Sequence, residues 1–231
     1  MKKKLLIIFL VCINIAAYAQ RDADYNYSIA IRGLSILQLP KVMNETNSIK
    51  SINTYFNGGI FKFNDNQISY RLSGSYLKKS KWFFNDCETC EEIDGDVTDY
   101  FFKIGFEKSL TFSSIQPYFG LDLGYRFNKF DGITKDANAQ RTEAGAISSG
   151  KDVEATKSGL LISPLIGVKV NPMSFLSLFA EFNFDYFYSY ERQESITQDA
   201  NSARTLRKTH QSEYLINPIS VGVIFHLGSN K

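Results

Sequence analysis

Two histidines, a close pair of cysteines and a set of charges at every second residue of otherwise apolar segments carry whatever chemistry this 231-residue chain can do. His210 stands beside Ser212 and Glu213, the residue types that lipid deacylation or acyl transfer requires when they meet at the edge of a membrane. A polar loop yields such a cluster by composition alone, and a solvated loop histidine is the expected reading. His226 falls on an inward parity near the opposite end of its segment, away from any outer-leaflet chemistry. No phosphate-cradling Gly-rich loop, zinc-ligand set or nucleophile elbow is present. The expectation is therefore of no catalytic, cofactor-binding or metal residue, and no cofactor.

Cys87 and Cys90 lie in Asn-Asp-Cys-Glu-Thr-Cys-Glu-Glu. A redox CxxC needs a helix start and a βαβ context, and a zinc site needs two further ligands. In an exported chain the expected state is a small disulfide staple within a loop.

The charges are more informative. Residues 175 to 188 place Leu176, Leu178, Ala180, Phe182, Phe184, Tyr186 and Tyr188 on one side of a strand, with Ser177, Glu181, Asn183 and Asp185 on the other. One side suits lipid and the other a polar interior, the reverse of a soluble sheet. The same device recurs in segments 25–36, 51–63, 67–80, 97–110, 115–130, 159–170 and 213–227, which makes eight strands. Ile115, Phe119, Leu121, Leu123, Tyr125 and Phe127 oppose Gln116, Asp122, Arg126 and Asn128. Leu215, Ile219, Val221, Val223, Phe225 and Leu227 share one parity of the last strand. The inward set collects Arg32, Arg71, Lys103, Glu107, Asp122, Arg126, Lys169, Glu181 and Asp185. Eight strands enclose an interior that side chains just fill, so these groups are expected to form an ion-pair network that plugs the lumen. A narrow ion-conducting pore is the alternative.

Connections alternate in length. Short turns at Asn64-Asp65-Asn66, at 111–114 and at 171–174 oppose long polar segments after strands one, three, five and seven, which matches short periplasmic turns and long external loops. Asp131 to Ser158 is expected to be a mobile loop; Glu191 to Ser212 is similar, with continuation of its strands above the membrane as the alternative. Strand two, with Asn57-Gly58-Gly59, does not choose a face, and a bulge is expected there. Pro164 and Pro218 fall inside strands, toward an external end. Tyr186, Tyr188, Tyr190, Trp82, Phe83 and Phe84 form the external aromatic girdle.

The compartment follows from the N-terminus. Lys2, Lys3 and Lys4, an apolar run from Leu5 to Ala17, and Ala17-Tyr18-Ala19 before Gln20 read as a cleavable signal peptide, residues 1–19, which takes Cys12 with it. Its removal takes three lysines and no acids, so 26 basic against 24 acidic residues becomes 23 against 24, a net charge of minus one. No nucleic-acid partner is expected. Residues 20–231 form one domain. Every later apolar stretch is interrupted by charge or Asn, so a membrane crossing must use a closed barrel.

Gly120-Leu-Asp-Leu-Gly-Tyr-Arg-Phe127, Leu178-Phe-Ala-Glu-Phe182 and the terminal Val221-Gly-Val-Ile-Phe-His-Leu227 resemble the small outer-membrane β-barrel proteins typical of Bacteroidetes, in the OmpA-like or OmpX-like eight-stranded group. Many such barrels end in an aromatic residue, whereas this chain ends Gly228-Ser-Asn-Lys231 with Phe225 nearest. The resemblance implies folding by the outer-membrane assembly machinery and implies no common catalytic residue. The expected molecule is all-β, a monomeric eight-stranded antiparallel up-and-down transmembrane barrel in the outer membrane of a Gram-negative cell, its termini periplasmic. Outer-membrane lipid or lipopolysaccharide would surround it, and an extracellular protein or glycan would meet its loops in a structural or adhesive role. A small porin or uptake channel is the second expectation and a lipid-modifying enzyme the third.

Overall fold

The computed structural model describes residues 25–42, 51–84, 91–136, 150–197 and 203–229. Residues 1–19, expected to be a signal peptide, and the Cys87–Cys90 pair, expected to be a disulfide, lie outside the described residues. Alternation of bulky apolar and small or charged residues gives eight strands: β1 (Tyr25–Gln38), β2 (Ser51–Asp65), β3 (Ile68–Phe84), β4 (Glu91–Ser109), β5 (Ile115–Asp136), β6 (Lys151–Met173), β7 (Leu176–Thr197) and β8 (Arg204–Ser229). Each pairs antiparallel with its sequence neighbour, and β8 pairs with β1 to close the barrel.

Closure gives every strand a hydrogen-bonded neighbour on both sides, which is what a strand in hydrocarbon requires. The wall turns its greasy parity outward. Ile104, Phe102, Leu123, Ile166 and Leu160 are 53–67% exposed although they are large and apolar, whereas Glu107, Asp185 and Ser163 are fully buried on the inner parity. Contiguous exposed apolar surface of this kind marks contact with a membrane. No helix among the described residues is long and apolar enough to cross one.

Three irregularities set which side chains face inward. In β1 the pairing shifts between Arg32 and Leu34, so Gly33 is an extra residue against β8. Opposite the same place, β2 bulges at Tyr55, Phe56 and Asn57, and Phe56 has φ 49°. This is the bulge expected in strand two. In β8 the register with β7 shifts between Ser220 and Asn217. That extra residue beside Pro218 reverses the parity, so Leu215, expected on the lipid side with Ile219, is instead buried in the lumen at 2% exposure. Pro164 pairs with Leu121 at mid-height rather than toward an external end, and the β6–β7 ladder skips it. Pro218, opposite Phe182, lies nearer the end that holds the short turns.

The strands outrun the membrane on one side. A crossing needs about 9–11 residues per strand, yet lengths rise from 14 residues in β1 to 26 in β8. Much of what reads as loop from composition is paired strand: residues 131–134 face 151–154, and Glu191–Ile196 face Arg204–Thr209. The described ends of Asp131–Ser158 are therefore strand rather than the mobile loop expected, and β7 and β8 continue above the lipid, because there the outer face meets water and no greasy outward parity is needed to make a strand; residues 137–149 and 198–202 lie outside the described residues. Tyr76, Tyr100, Tyr125, Tyr188 and Tyr214, each 42–64% exposed, form the upper aromatic edge. Trp82 lies beyond that edge, three outward positions above Tyr76 on β3, and so is not part of the girdle. The side chains of Phe83 and Phe84 lie outside the described set.

The short turns, among them Asn66-Gln67 with Asn66 at φ 51°, share one end with Tyr25 and Ser229. Asn tolerates this left-handed conformation, which a tight hairpin needs.

Candidate functional site

The lumen is where the chemistry-bearing residues meet. At the end that holds the short turns, His226 shares hydrogen bonds with Ser28 at 2.8 Å and Ser177 at 2.6 Å. Asn64 donates to Ser28 at 2.8 Å and Ser69 donates to Asn64 at 2.9 Å. Beside this floor, Ala30, Ile60, Phe179 and Ile224 form an apolar cluster on the β1, β2, β7 and β8 side.

The opposite side carries the densest charge. Glu107 accepts from Lys62 at 2.8 Å, Lys169 at 3.1 Å and Arg71 at 3.1 Å. Arg71 also grips Glu181 with two bonds of 2.6 and 3.1 Å, a fork geometry that suits guanidinium. Its Nε stands 3.3 Å from Asp122 Oδ1. Neither of those two atoms makes a hydrogen bond, so the contact is an ion pair without donor alignment. Tyr118 donates to Glu181 at 3.1 Å, and Asn183 does so at 3.0 Å.

One level higher, Asp185 accepts from Lys103 at 2.9 Å, Asn217 at 2.8 Å and Ser163. Lys103 and Arg32 both approach the Phe101 ring, at 4.6 and 5.6 Å. Arg32 donates to Gly74 O at 3.5 Å and meets no carboxylate within ion-pair distance among the described residues. Above Phe101, Leu161, Phe187 and Leu215 come two further ion pairs. Arg126 forks onto Asp99 at 2.9 and 3.1 Å. Lys157 bonds Glu213 and stands 3.5 Å from Glu191.

The chain leaving β1 then folds back across the mouth. The Lys41 amide donates to Glu213 at 2.8 Å and the Gln38 amide to Asn217 at 3.1 Å. This places Leu39 and Val42, each 1% exposed, in a cluster with Ile52, Leu77, Ile93, Val97, Phe130 and Ala155. Polar and apolar layers thus follow one another from floor to mouth.

No protein-family model matches the chain, and no curated protein does. Among solved structures it is similar to the outer membrane protein OprG from Pseudomonas aeruginosa, with 12% identity and TM-score 0.53 over 90% of this chain and 100% of that one. It is also similar to a major outer membrane protein from Thermus thermophilus, with 11% identity and TM-score 0.50 over 87% and 99%. At such identities the likeness speaks to fold alone. The fold is that of an outer-membrane β-barrel.

All nine charged residues read from the inward parities project into the barrel and are buried, and eight of them pair with one another or with newly found partners. Five members escaped the sequence: Lys62, Asp99, Lys157, Glu191 and Glu213, all at most 8% exposed. Asp99 shares the parity of Lys103 and could have been found by following β4 two pairs higher. Lys62 was hidden by the bulge in β2, and Lys157, Glu191 and Glu213 by the polar composition around them. With them the barrel holds seven buried cations (Arg32, Lys62, Arg71, Lys103, Arg126, Lys157, Lys169) and seven buried carboxylates (Asp99, Glu107, Asp122, Glu181, Asp185, Glu191, Glu213). Among the described residues the buried charges sum to zero.

The His210 cluster does not assemble. His210 is in β8, not a loop; its ring stacks on Tyr188 at 5.9 Å and meets Tyr190 at 5.3 Å on the outer face. Ser212 shares that face and accepts from Tyr186 at 3.2 Å. Glu213 points the other way, into the lumen, because successive strand residues alternate.

Proposed function

We propose that the chain is an integral outer-membrane protein of the small barrel group typical of Bacteroidetes, exported by its signal peptide and assembled by the outer-membrane machinery, with periplasmic termini. Its barrel is a sealed, non-catalytic scaffold. It carries an external β-wall that meets an extracellular protein or glycan. The observation that carries this reading is the cross-section of the lumen: seven cations and seven carboxylates balance, and the Leu39–Val42 segment covers them from above. An ion entering such an interior would have to displace buried partners, and leaving one buried charge unpaired costs several kcal/mol. A fold of this type by itself names no activity.

Recording from refolded protein in a planar lipid bilayer tests the seal. Current indistinguishable from the bare bilayer is expected, and stable conductance steps would sink the reading in favour of a small pore or uptake channel.

A further inference from the structure

Among the described residues Arg32 is the one buried charge without an ion pair. A guanidinium carries N–H donors on every nitrogen. Yet the hydrogen bond Arg32 makes is a single long one, 3.5 Å to Gly74 O, and the Phe101 ring lies 5.6 Å away. A buried donor left without an acceptor is costly, and more so when it is charged. Arg32 is 4% exposed rather than fully sealed, so a body the size of a water molecule still reaches it.

The register explains where this side chain lies. Its partners on both neighbouring strands are glycines, Gly58 of β2 and Gly222 of β8. The guanidinium crosses Gly58, with Nη1 3.2 Å from the position a Cβ there would take. It thereby reaches β3 at the Gly58–Ser75 pair, where the β2–β3 ladder ends. Two other buried polar atoms stand at this seam without partners: Ser73 Oγ, one residue from Gly74, and Asn57 Oδ1, one residue from Gly58. Asn57 Nδ2 donates to Ser75 Oγ at 2.8 Å. With the amide turned over, Ser75 donates instead and the unpartnered atom becomes a donor. Guanidinium, hydroxyl and amide can then all act as donors toward one occupant.

Water would meet the donors but not the charge. The seven cations and seven carboxylates of the lumen do not balance layer by layer. Above the apolar layer of Phe101, Leu161, Phe187 and Leu215, Arg126 and Lys157 face Asp99, Glu191 and Glu213. Below it, seven minus two leaves five cations and seven minus three leaves four carboxylates. The surplus is one positive charge, and Arg32 carries it. Three carboxylates act on Arg32 from a distance, Glu181, Asp122 and Asp185. Glu181 is taken by Arg71, Tyr118 and Asn183, and Asp185 by Lys103, Asn217 and Ser163. Asp122 stands against Arg71 at 3.3 Å. A second negative charge on an occupant would meet these three carboxylates with nothing left to offset it.

We infer that the lumen holds one small monovalent inorganic anion, of the chloride class, against Arg32 at the β2–β3 seam. The anion accepts from Arg32 and Ser73 and neutralises the lower layers. It displaces no partner, unlike an ion placed at any other buried charge of this interior. It is enclosed as the barrel closes and is not conducted. The inference needs a formed barrel, which heat-dependent gel mobility reports separately.

Urea unfolding in lipid vesicles reads the site, with sodium gluconate, whose anion is too large for the seam, replaced by sodium chloride at constant ionic strength. Chloride should raise the folded-to-unfolded ratio, about fivefold when it stands at about four times its dissociation constant. Arg32→Met, still folded by gel mobility, should lose this gain and be no less stable than the wild type in gluconate. Ser73→Ala should need more chloride for the same gain. Equal ratios in the two salts overturn the proposal, as does a chloride gain that persists in Arg32→Met. Crystals of the wild type grown in bromide give a reading that depends on no variant. An anomalous peak within hydrogen-bond distance of the Arg32 guanidinium is expected; bromide on the outer surface alone would mean an adventitious ion only and would sink the inference.

Discussion

Glu107 collects three cations and Arg32 collects no carboxylate, and the two should answer mutation in opposite ways. Removing Glu107 leaves Lys62, Arg71 and Lys169 competing for the remaining acceptors in a site with no water exposure. Breaking a buried network from one side costs about 3–5 kcal/mol. Urea unfolding of Glu107→Ala in lipid vesicles should show a loss of that order. Arg32 pairs with no carboxylate and touches a ring and one carbonyl, so Arg32→Met, of comparable length and without charge, should unfold within about 1 kcal/mol of the wild type or above it. If the two variants lose equal stability, the network does not distinguish its members as the distances indicate. A third residue sits outside the lipid. Arg204 donates to Glu194 at 2.8 Å and holds its carboxyl below the usual glutamate range, with Arg192 adding to the effect. A lowered folded-state value means the pair contributes above the ordinary glutamate value and is lost as pH falls through the lowered one. An NMR titration should therefore find the Glu194 midpoint below that of an unstructured glutamate, and Arg204→Ala should move it back up.

At the scale of elements, lipid wrote the legible part of the chain. Where a strand crosses hydrocarbon, one parity must be greasy and the other polar, and the cores of all the strands but β2 follow from that alternation, as does the inward placement of Arg71, Lys103, Glu107 and Glu181. Above the lipid the constraint lapses. Residues 131–136, 151–158, 191–197 and 204–212 meet water on their outer face, so their pairing leaves no two-residue signature and composition points to loop. Parity also fails wherever an extra residue enters: Leu215 has the right chemistry for lipid but follows the wrong count, because the bulge beside Pro218 shifts everything on its external side by one. Lys62 was lost in the same way behind the bulge at Phe56. The strands that rise beyond the membrane also narrow what a loop deletion must remove. Replacing residues 137–149 by a short Gly-Ser linker spares every β5–β6 pair. The shortened protein should keep its heat-dependent gel mobility and lose any cell-surface partner that depends on this segment; loss of the folded band would show that the segment supports the barrel.

For the whole molecule, the aromatic edge at Tyr76 and Tyr100 fixes how deep the barrel sits. Trp82, the single tryptophan, is six residues beyond Tyr76, which is about 20 Å along the strand. Its fluorescence in lipid vesicles should therefore be quenched by aqueous acrylamide and be indifferent to brominated acyl chains. Quenching by the lipid probe would lower the barrel by a full belt and undo the assignment of the upper edge.

The partners inside the barrel come from distant stretches of chain: Arg71 of β3 grips Glu181 of β7, 110 positions away, and Lys103 of β4 reaches Asp185 of β7. A β3–β4 hairpin that entered the bilayer alone would carry Arg71 and Lys103 through oil without Glu181 and Asp185, which reach them only from β7. A path that brings β7 to β3 and β4 as they cross is accordingly the one that leaves the fewest of these charges without partners.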